Sequence, residues 1–338
     1  IYMDPLSQGT VGAAFAQPLA NKNNIIRISF IGFLAGVAPD LDVLIQSESD
    51  PILFLEYHRQ FSHSLFFIPF GSLIVALLIF PFVKGSMTIK NVYFASFLGY
   101  ATHGLLDACT SYGTLLFWPF SNERVTWNNI SIVDPLFTIP ILILIGIAIK
   151  TKKKLFSFFA IGWIISYLLL GVIQYDRTLS AAFQLAQSRG HNAERITLKP
   201  SFGNIILWKS IYQHEDTFYV DAIRTVQSTT WCLGDSIRIF DYQSHLPNLD
   251  RDSQQSKDIE RFRWFSQNYL GYDKENKLIT DIRYSMIPNQ ITSMWGLLID
   301  DQKGLDEHAI WWTSRGLDEG QLDLFKDMLT GKNCGGLE

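Results

Sequence analysis

Three clusters of carboxylate and imidazole stand in otherwise apolar stretches of this chain. His103 and Asp107 lie in Gly99-Tyr100-Ala101-Thr102-His103-Gly104-Leu105-Leu106-Asp107, and their i,i+4 spacing stacks both side chains on one helix face, as two ligands of one ion require. Asp40 and Asp42 sit in Pro39-Asp40-Leu41-Asp42, at the end of another apolar stretch. His58-Arg59-Gln60-Phe61-Ser62-His63-Ser64 carries two imidazoles five positions apart. On a helix these are one and a half turns apart, so they need a bend or an extended start to aim at one point, while Ser62 or Ser64 caps the helix that follows. Each cluster has a plain alternative. The acids can be wet at a membrane surface, the two histidines can be loop residues, and His103 with Asp107 can be a structural hydrogen bond. That last alternative explains one cluster and leaves the other two without a reason.

The elements that carry these residues read as membrane helices. Residues 1–175 hold 10 Lys+Arg and 9 Asp+Glu, whereas residues 176–338 hold 18 and 23. The second balance is ordinary for a soluble domain and the first is far too sparse. Apolar windows of spanning length run over Ile25–Ile45, Ser64–Val83, Val92–Ser111, Ile132–Ile149 and Leu155–Ile173, a helix needing about 20 apolar residues to cross the hydrocarbon. Met3–Ala20, with Gly9, Gly12, Gln8 and Gln17, is a weaker sixth, suited to packing against protein. It has no basic leader and is interrupted by Pro18, so a cleavable signal is not expected. The Ile1-Tyr2 pair and the Gly-Gly-Leu-Glu end are given no structural weight.

Lys22, Arg27, Lys84, Lys90, Lys150, Lys152, Lys153 and Lys154 fall in loops on one side, against Arg59 and Arg124 on the other. The positive-inside rule makes the lysine-rich loops cytoplasmic and the soluble tail, from Gln174, external. All three clusters then lie at external span ends and can converge. Acids inside a bilayer cost roughly 2.5–3.5 kcal/mol each and are functional candidates by default.

In the tail, alternation over Asn204–Tyr212, Thr217–Ile223, Ser236–Tyr242 and Leu278–Met286 predicts half-buried strands, with a helix at Asp258–Leu270. Arg177–Arg189 continues the last span as a helix broken by Gly190. The expected fold is an α-helical polytopic membrane bundle of five or six spans (1–175) carrying the metal site, followed by a C-terminal extracytoplasmic β-rich α+β domain (176–338). Cys109, Cys232 and Cys334 are too few and too scattered for a disulfide framework or a thiolate metal site. The net charge of −4, with one short lysine run, argues against a nucleic-acid partner. No internal repeat is evident.

The ordered set Pro39-Asp40-x-Asp42, His58-Arg59-x-x-Ser62-His63-Ser64 and Gly99-Tyr100-x-x-His103-x-x-x-Asp107 resembles the YdjM-like family of predicted membrane-bound metal-dependent hydrolases. Thr110-Ser111-Tyr112-Gly113 and Trp118-Pro119 look like its continuation, and Met3-Asp4-Pro5-Leu6-Ser7-Gln8-Gly9 resembles its opening. Asp281-Ile282-Arg283-Tyr284 and the helix with Phe262, Trp264 and Phe265 are similar to the tail of longer members. Two positions depart: many members have histidine where this chain has Gln8, and another where it has Val43. More distantly, the order of aspartate, histidine and His-x-x-x-Asp resembles zinc-dependent phospholipase C enzymes, an analogy of fold only.

Carboxylate and imidazole without thiolate fit a divalent metal, zinc best, manganese or iron next. Such an ion lowers the pKa of a bound water to about 7 and polarises a scissile group, so hydrolysis is the natural chemistry. The expected metal set is Asp40, Asp42, His58, His63, His103 and Asp107. His63, His103 and Asp107 lead it, and Asp40 or Asp42 bridges a second ion or acts as general base. His58 is a ligand or a proton donor, and Arg59 pairs with an anionic substrate oxygen. Asp134 and Arg124 are expected to support the ligands from behind. The expected substrate is an ester or phosphoester of a lipid or lipid-linked molecule, and the expected location is the cell (inner) membrane, multi-pass. The rivals are a cation or proton transporter, which the lack of a repeat disfavours, and a scaffold with a structural metal.

Overall fold

The computed structural model describes residues 4–300, 302–316, 318–332 and 334–335. Met3 of the opening motif, the Ile1-Tyr2 pair and residues 336–338 lie outside them. The chain divides into two units, one of 1–45, 57–173 and 202–204, the other of 46–56, 174–201 and 205–338.

The first unit is helical. Its helices are α1 (Pro5–Ala16), α2 (Ile25–Val37), α4 (Ile68–Val83), α5 (Ile89–Cys109), α6 (Pro135–Thr151) and the front of α7 (Leu155–Ser188); the single turn α3 (Phe54–Tyr57) falls mostly in the other unit. Local chemistry sets the ends. Asp4 accepts from the backbone N–H groups of Leu6 and Ser7 to cap α1, Thr88 caps α5, and Asp134 accepts from Leu136 and Phe137 to cap α6, with Pro135 in the first position. Pro39 offers no N–H to α2, and the chain tightens there into a 3-10 turn over Ala38–Leu44 that carries Asp40 and Asp42.

Helices α1, α2 and α5 pack closely because small residues meet. A Cβ on Gly99 would run into Gly32 O, and one on Gly104 into His63 O. The second of these lets the His63 backbone lie directly against the turn bearing His103.

Among the described residues, two helical stretches are long and apolar enough to cross a membrane, Leu65–Val83 and Leu155–Ser188, and α6 is apolar but shorter. Phe70, Leu73, Ile74, Leu77, Leu78 and Phe82 of α4 are exposed. An apolar surface of that kind on a helix suits lipid rather than water. With 12 and 13 residues, α1 and α2 fall short of the length a bilayer needs.

The second unit is β-rich. One antiparallel sheet runs β1 (Arg195–Pro200), β2 (Leu207–His214), β3 (Thr217–Thr225) and β4 (Thr229–Cys232), with β5 (Ser236–Arg238) pairing the other half of β3. The other runs β6 (Leu270–Asp273), β7 (Leu278–Asp281), β8 (Trp295–Leu298) and β9 (Ile310–Thr313). Helices α8 (Tyr242–His245), α9 (Gln254–Phe265) and α10 (Glu319–Thr330) complete it. Most expected strands form, shifted by a few residues, but the Ser236–Tyr242 and Leu278–Met286 runs stop early, at Arg238 and Asp281. Helix α7 runs on to Ser188, and Gly190, at φ +72°, ends the helical path as expected. One expectation fails in detail: Cys232 and Cys334 form a disulfide across 102 residues, while Cys109 is free and buried.

Candidate metal centre

The centre is assembled in the first unit from four short pieces of chain. The bend that His58 and His63 need is supplied by Arg59, whose φ of +64° turns the backbone, and by a 3-10 turn over Phe61–His63. Ser64, not Ser62, caps the following turn by accepting from Phe67 N. Tyr100 OH donates to Ser62 O at 2.8 Å and ties that turn to α5.

Asp42 organises this turn. Its Oδ1 lies 2.8 Å from His58 Nδ1, and its Oδ2 accepts from Arg59 N at 3.0 Å and Ser62 Oγ at 2.7 Å, with His63 Nδ1 at 3.2 Å. His103 Nδ1 lies 2.6 Å from Gly36 O. A carbonyl can only accept, so that nitrogen carries the hydrogen, and the same logic at Asp42 puts the His63 hydrogen on Nδ1. The two Nε2 atoms face each other at 2.8 Å, close enough that a hydrogen or a metal cation must be shared between them. Asp107 Oδ2 is 3.1 Å from His63 Nε2 and 3.6 Å from His103 Nε2, and Asp40 Oδ1 is 3.4 Å from each.

These contacts sort the expected residues. Asp40, His63, His103 and Asp107 each place a ligand atom within 4.8 Å of the others, and Asp40, Asp42 and His58 do the same. Both Asp40 oxygens are buried and have no hydrogen-bond donor. Arg59 is wholly buried, with Nε 3.1 Å from Asp107 Oδ2, Nη1 donating to Thr110 Oγ1 at 3.0 Å and Tyr112 under its plane at 4.8 Å. Its guanidinium therefore braces Asp107. Gln8 donates to Asp107 Oδ1 at 2.9 Å, so the amide at the family's histidine position reaches the ligand set from behind it. Asp134 lies apart from the cluster, engaged as the α6 cap and by Tyr167 OH at 2.8 Å. Arg124 donates to Gly113 O at 2.9 Å and faces Tyr112, whose ring it shares with Arg59.

Comparison with known proteins agrees with these motifs. The model of the YdjM inner membrane protein family matches residues 3–179. The chain belongs to that family. Protein YfhP of Bacillus subtilis (strain 168), itself described as uncharacterized, is 29% identical over 118 residues, 35% of this chain and 36% of that relative. The alignment thus spans about a third of each protein. No solved structure matches the chain. The YdjM match includes every residue of the Asp/His cluster and stops at the start of the tail, so the β-rich unit lies almost wholly beyond it.

Proposed function

We propose that this YdjM-family protein is a multi-pass membrane hydrolase whose Asp/His cluster holds a divalent cation and acts at the outer membrane interface on an ester or phosphoester of a lipid or lipid-linked molecule. One observation carries the metal reading: two imidazole nitrogens face each other at 2.8 Å with their hydrogens directed to other partners. Two lone pairs at that distance repel unless a proton or a metal cation is shared between them, and two carboxylates that flank the gap favour the metal by completing a four-donor set. The donors are nitrogen and oxygen only, the set preferred by zinc, manganese or ferrous iron. When bound, such an ion activates water and polarises the scissile carbonyl or phosphoryl group.

The chain's own residues then have distinct tasks. Asp42 and the Gly36 carbonyl hold the two imidazoles in the tautomer a metal needs, and Gln8 and Arg59 hold Asp107. Four donors would fill a tetrahedral ion, so hydrolysis requires a further open position for water. Solvent reaches the cluster at Asp40, whose side chain is 10% exposed, whereas those of His63, His103 and Asp107 are fully covered. Lipid as substrate is supported by the apolar exposed face of α4 and by the inner-membrane family.

The test begins with elemental analysis of the detergent-purified protein. Bound transition metal is expected, lost in His103→Ala, together with metal-dependent headgroup release from a lipid panel. A folded His103→Ala protein with full metal content would remove the site, and cleavage of only water-soluble esters would remove the lipid. The orientation rests on eight basic residues in one set of loops against two in the other. An impermeant thiol reagent on intact cells is expected to label a cysteine placed at Asp252 and not one placed at Lys152. The reverse pattern would turn the protein over.

A further inference from the structure

The reading above uses one oxygen of Asp40 and leaves the other without a task. Oδ1 is the oxygen that faces His63 and His103, at 3.4 Å from each ring. Oδ2 is equally buried and equally without a hydrogen-bond donor, on a side chain that is nine-tenths covered. A buried carboxylate oxygen with nothing to neutralise it is expensive, and a single cation on Oδ1 relieves only half of the group. A second set of donors shares Asp40. Asp42 and His58 each offer a ligand atom within 4.8 Å of Asp40 and of each other, the same spread as the first set. Asp42 is not exhausted by its structural work. Its three contacts with Arg59 N, Ser62 Oγ and His63 Nδ1 fall on Oδ2, while Oδ1 faces His58, and an ionised carboxylate has about four acceptor positions.

We propose that the centre is binuclear: Asp40 bridges two divalent cations, one held with His63, His103 and Asp107, the other with Asp42 and His58. This rests on the metal reading above and adds a second ion to it. The bridge gives each Asp40 oxygen a counter-charge and accounts for a carboxylate that takes no hydrogen bond from the protein. It also gives His58 a ligand's task and Asp42 a second one beside its hold on the turn. Paired ions about 3.5–4 Å apart can clamp the attacking and leaving oxygens of an in-line displacement, which suits the phosphoester among the substrates named above.

Counting ions decides it without any assay of turnover. The full-length protein in detergent is stripped with chelator, reloaded with Mn2+ and freed of excess. Metal per chain is then measured by elemental analysis, and spin coupling by electron paramagnetic resonance. Two Mn2+ per chain with the spectrum of a coupled pair are expected. In His58→Ala one ion with the spectrum of an isolated centre should remain. Asp40→Asn should remove the coupling and weaken both ions. Asp42 is a poor probe, since its loss would also free Arg59 N and Ser62. If His58→Ala exposes the buried thiol of Cys109 to a maleimide dye, and so is unfolded, His58→Gln takes its place. One ion in the wild type, unchanged by substitution of His58, overturns the binuclear centre and leaves the mononuclear one standing. Two coupled ions that survive the loss of His58 overturn the assignment of the second set. No ion in the wild type removes both this inference and the reading beneath it.

Discussion

Aspartate meets histidine and arginine in both units of this protein, and the two meetings end differently. In the tail, Asp258 accepts from Gln254, Arg261, His308 and Ala309 N, so both of its oxygens are engaged by fixed donors. Arg283, fully buried, meets Asp281 through two bonds of 2.8 and 2.7 Å and spends its remaining donors on Gln267 Oε1 and Phe265 O. Lys209, also buried, is pushed down to about 7 by desolvation, and its amine donates to Ser285 Oγ and Gln290 O. Each of these groups is either matched by charge or given hydrogen-bond acceptors of its own. In the helical unit Asp40 has no donor and two imidazole nitrogens point at one another. Histidine beside aspartate is therefore no sign of a site. What separates these two charged networks is whether their charged atoms are satisfied by the protein alone, and of the two it is the helical cluster that is left incomplete.

The comparison breaks most visibly at Arg283. If the tail's buried pairs are complete in themselves, Arg283→Met strands the Asp281 carboxylate and should cost about 3–5 kcal/mol of tail stability whatever metal is present. Hydrogen exchange of peptides covering β6 and β7 reads that loss directly. Asp281→Leu with Arg283→Met should recover most of it, since an apolar pair of similar volume has nothing left to desolvate. A single variant as stable as wild type would mean that this network is not holding the sheet.

Much of the candidate centre was legible because it depends on residue type and local spacing. His103 and Asp107 sit one turn apart on α5, and the break at Pro39 announces where Asp40 and Asp42 leave the helix. The turn at Arg59 was not legible, because a left-handed arginine carries no sequence mark and its guanidinium is directed by partners at Asp107 and Thr110, far along the chain. Asp134 was readable and was read wrongly: aspartate before Pro135 is the ordinary start of a helix, and it caps α6. In the tail the long alternating runs gave strands. By contrast β8 and β9 are four residues each, too short for periodicity to show. Helix α10 did carry a local sign, the reciprocal cap of Asp318 and Gln321. The Cys232–Cys334 bridge spans 102 residues, a distance over which spacing says nothing about pairing.

The smallest expected effect is the most discriminating, because its sign depends on the metal. In the stripped protein the cluster gathers Asp40, Asp42 and Asp107, and the guanidinium of Arg59 is paired with Asp107. Asp40 brings charge to this group and receives no hydrogen bond for it. Replacing it by asparagine removes the repulsion and the cost of burying the charge, so metal-free Asp40→Asn should be more stable than metal-free wild type by about 1 kcal/mol, a few degrees in Tm. With metal restored the order should reverse, because the variant has lost a ligand and gains less from binding. Asp107→Asn is the control. Its carboxylate is braced by Arg59 and Gln8, so its loss should destabilise the helical unit with or without metal. Cys109, free, buried and two residues from Asp107, supplies the readout, since a thiol-reactive dye reports its exposure on heating while the bridged Cys232 and Cys334 stay silent. If metal-free Asp40→Asn melts below wild type, the Asp40 carboxylate is satisfied within the protein after all. The helical cluster would then be the same kind of structural network as the one around Asp258.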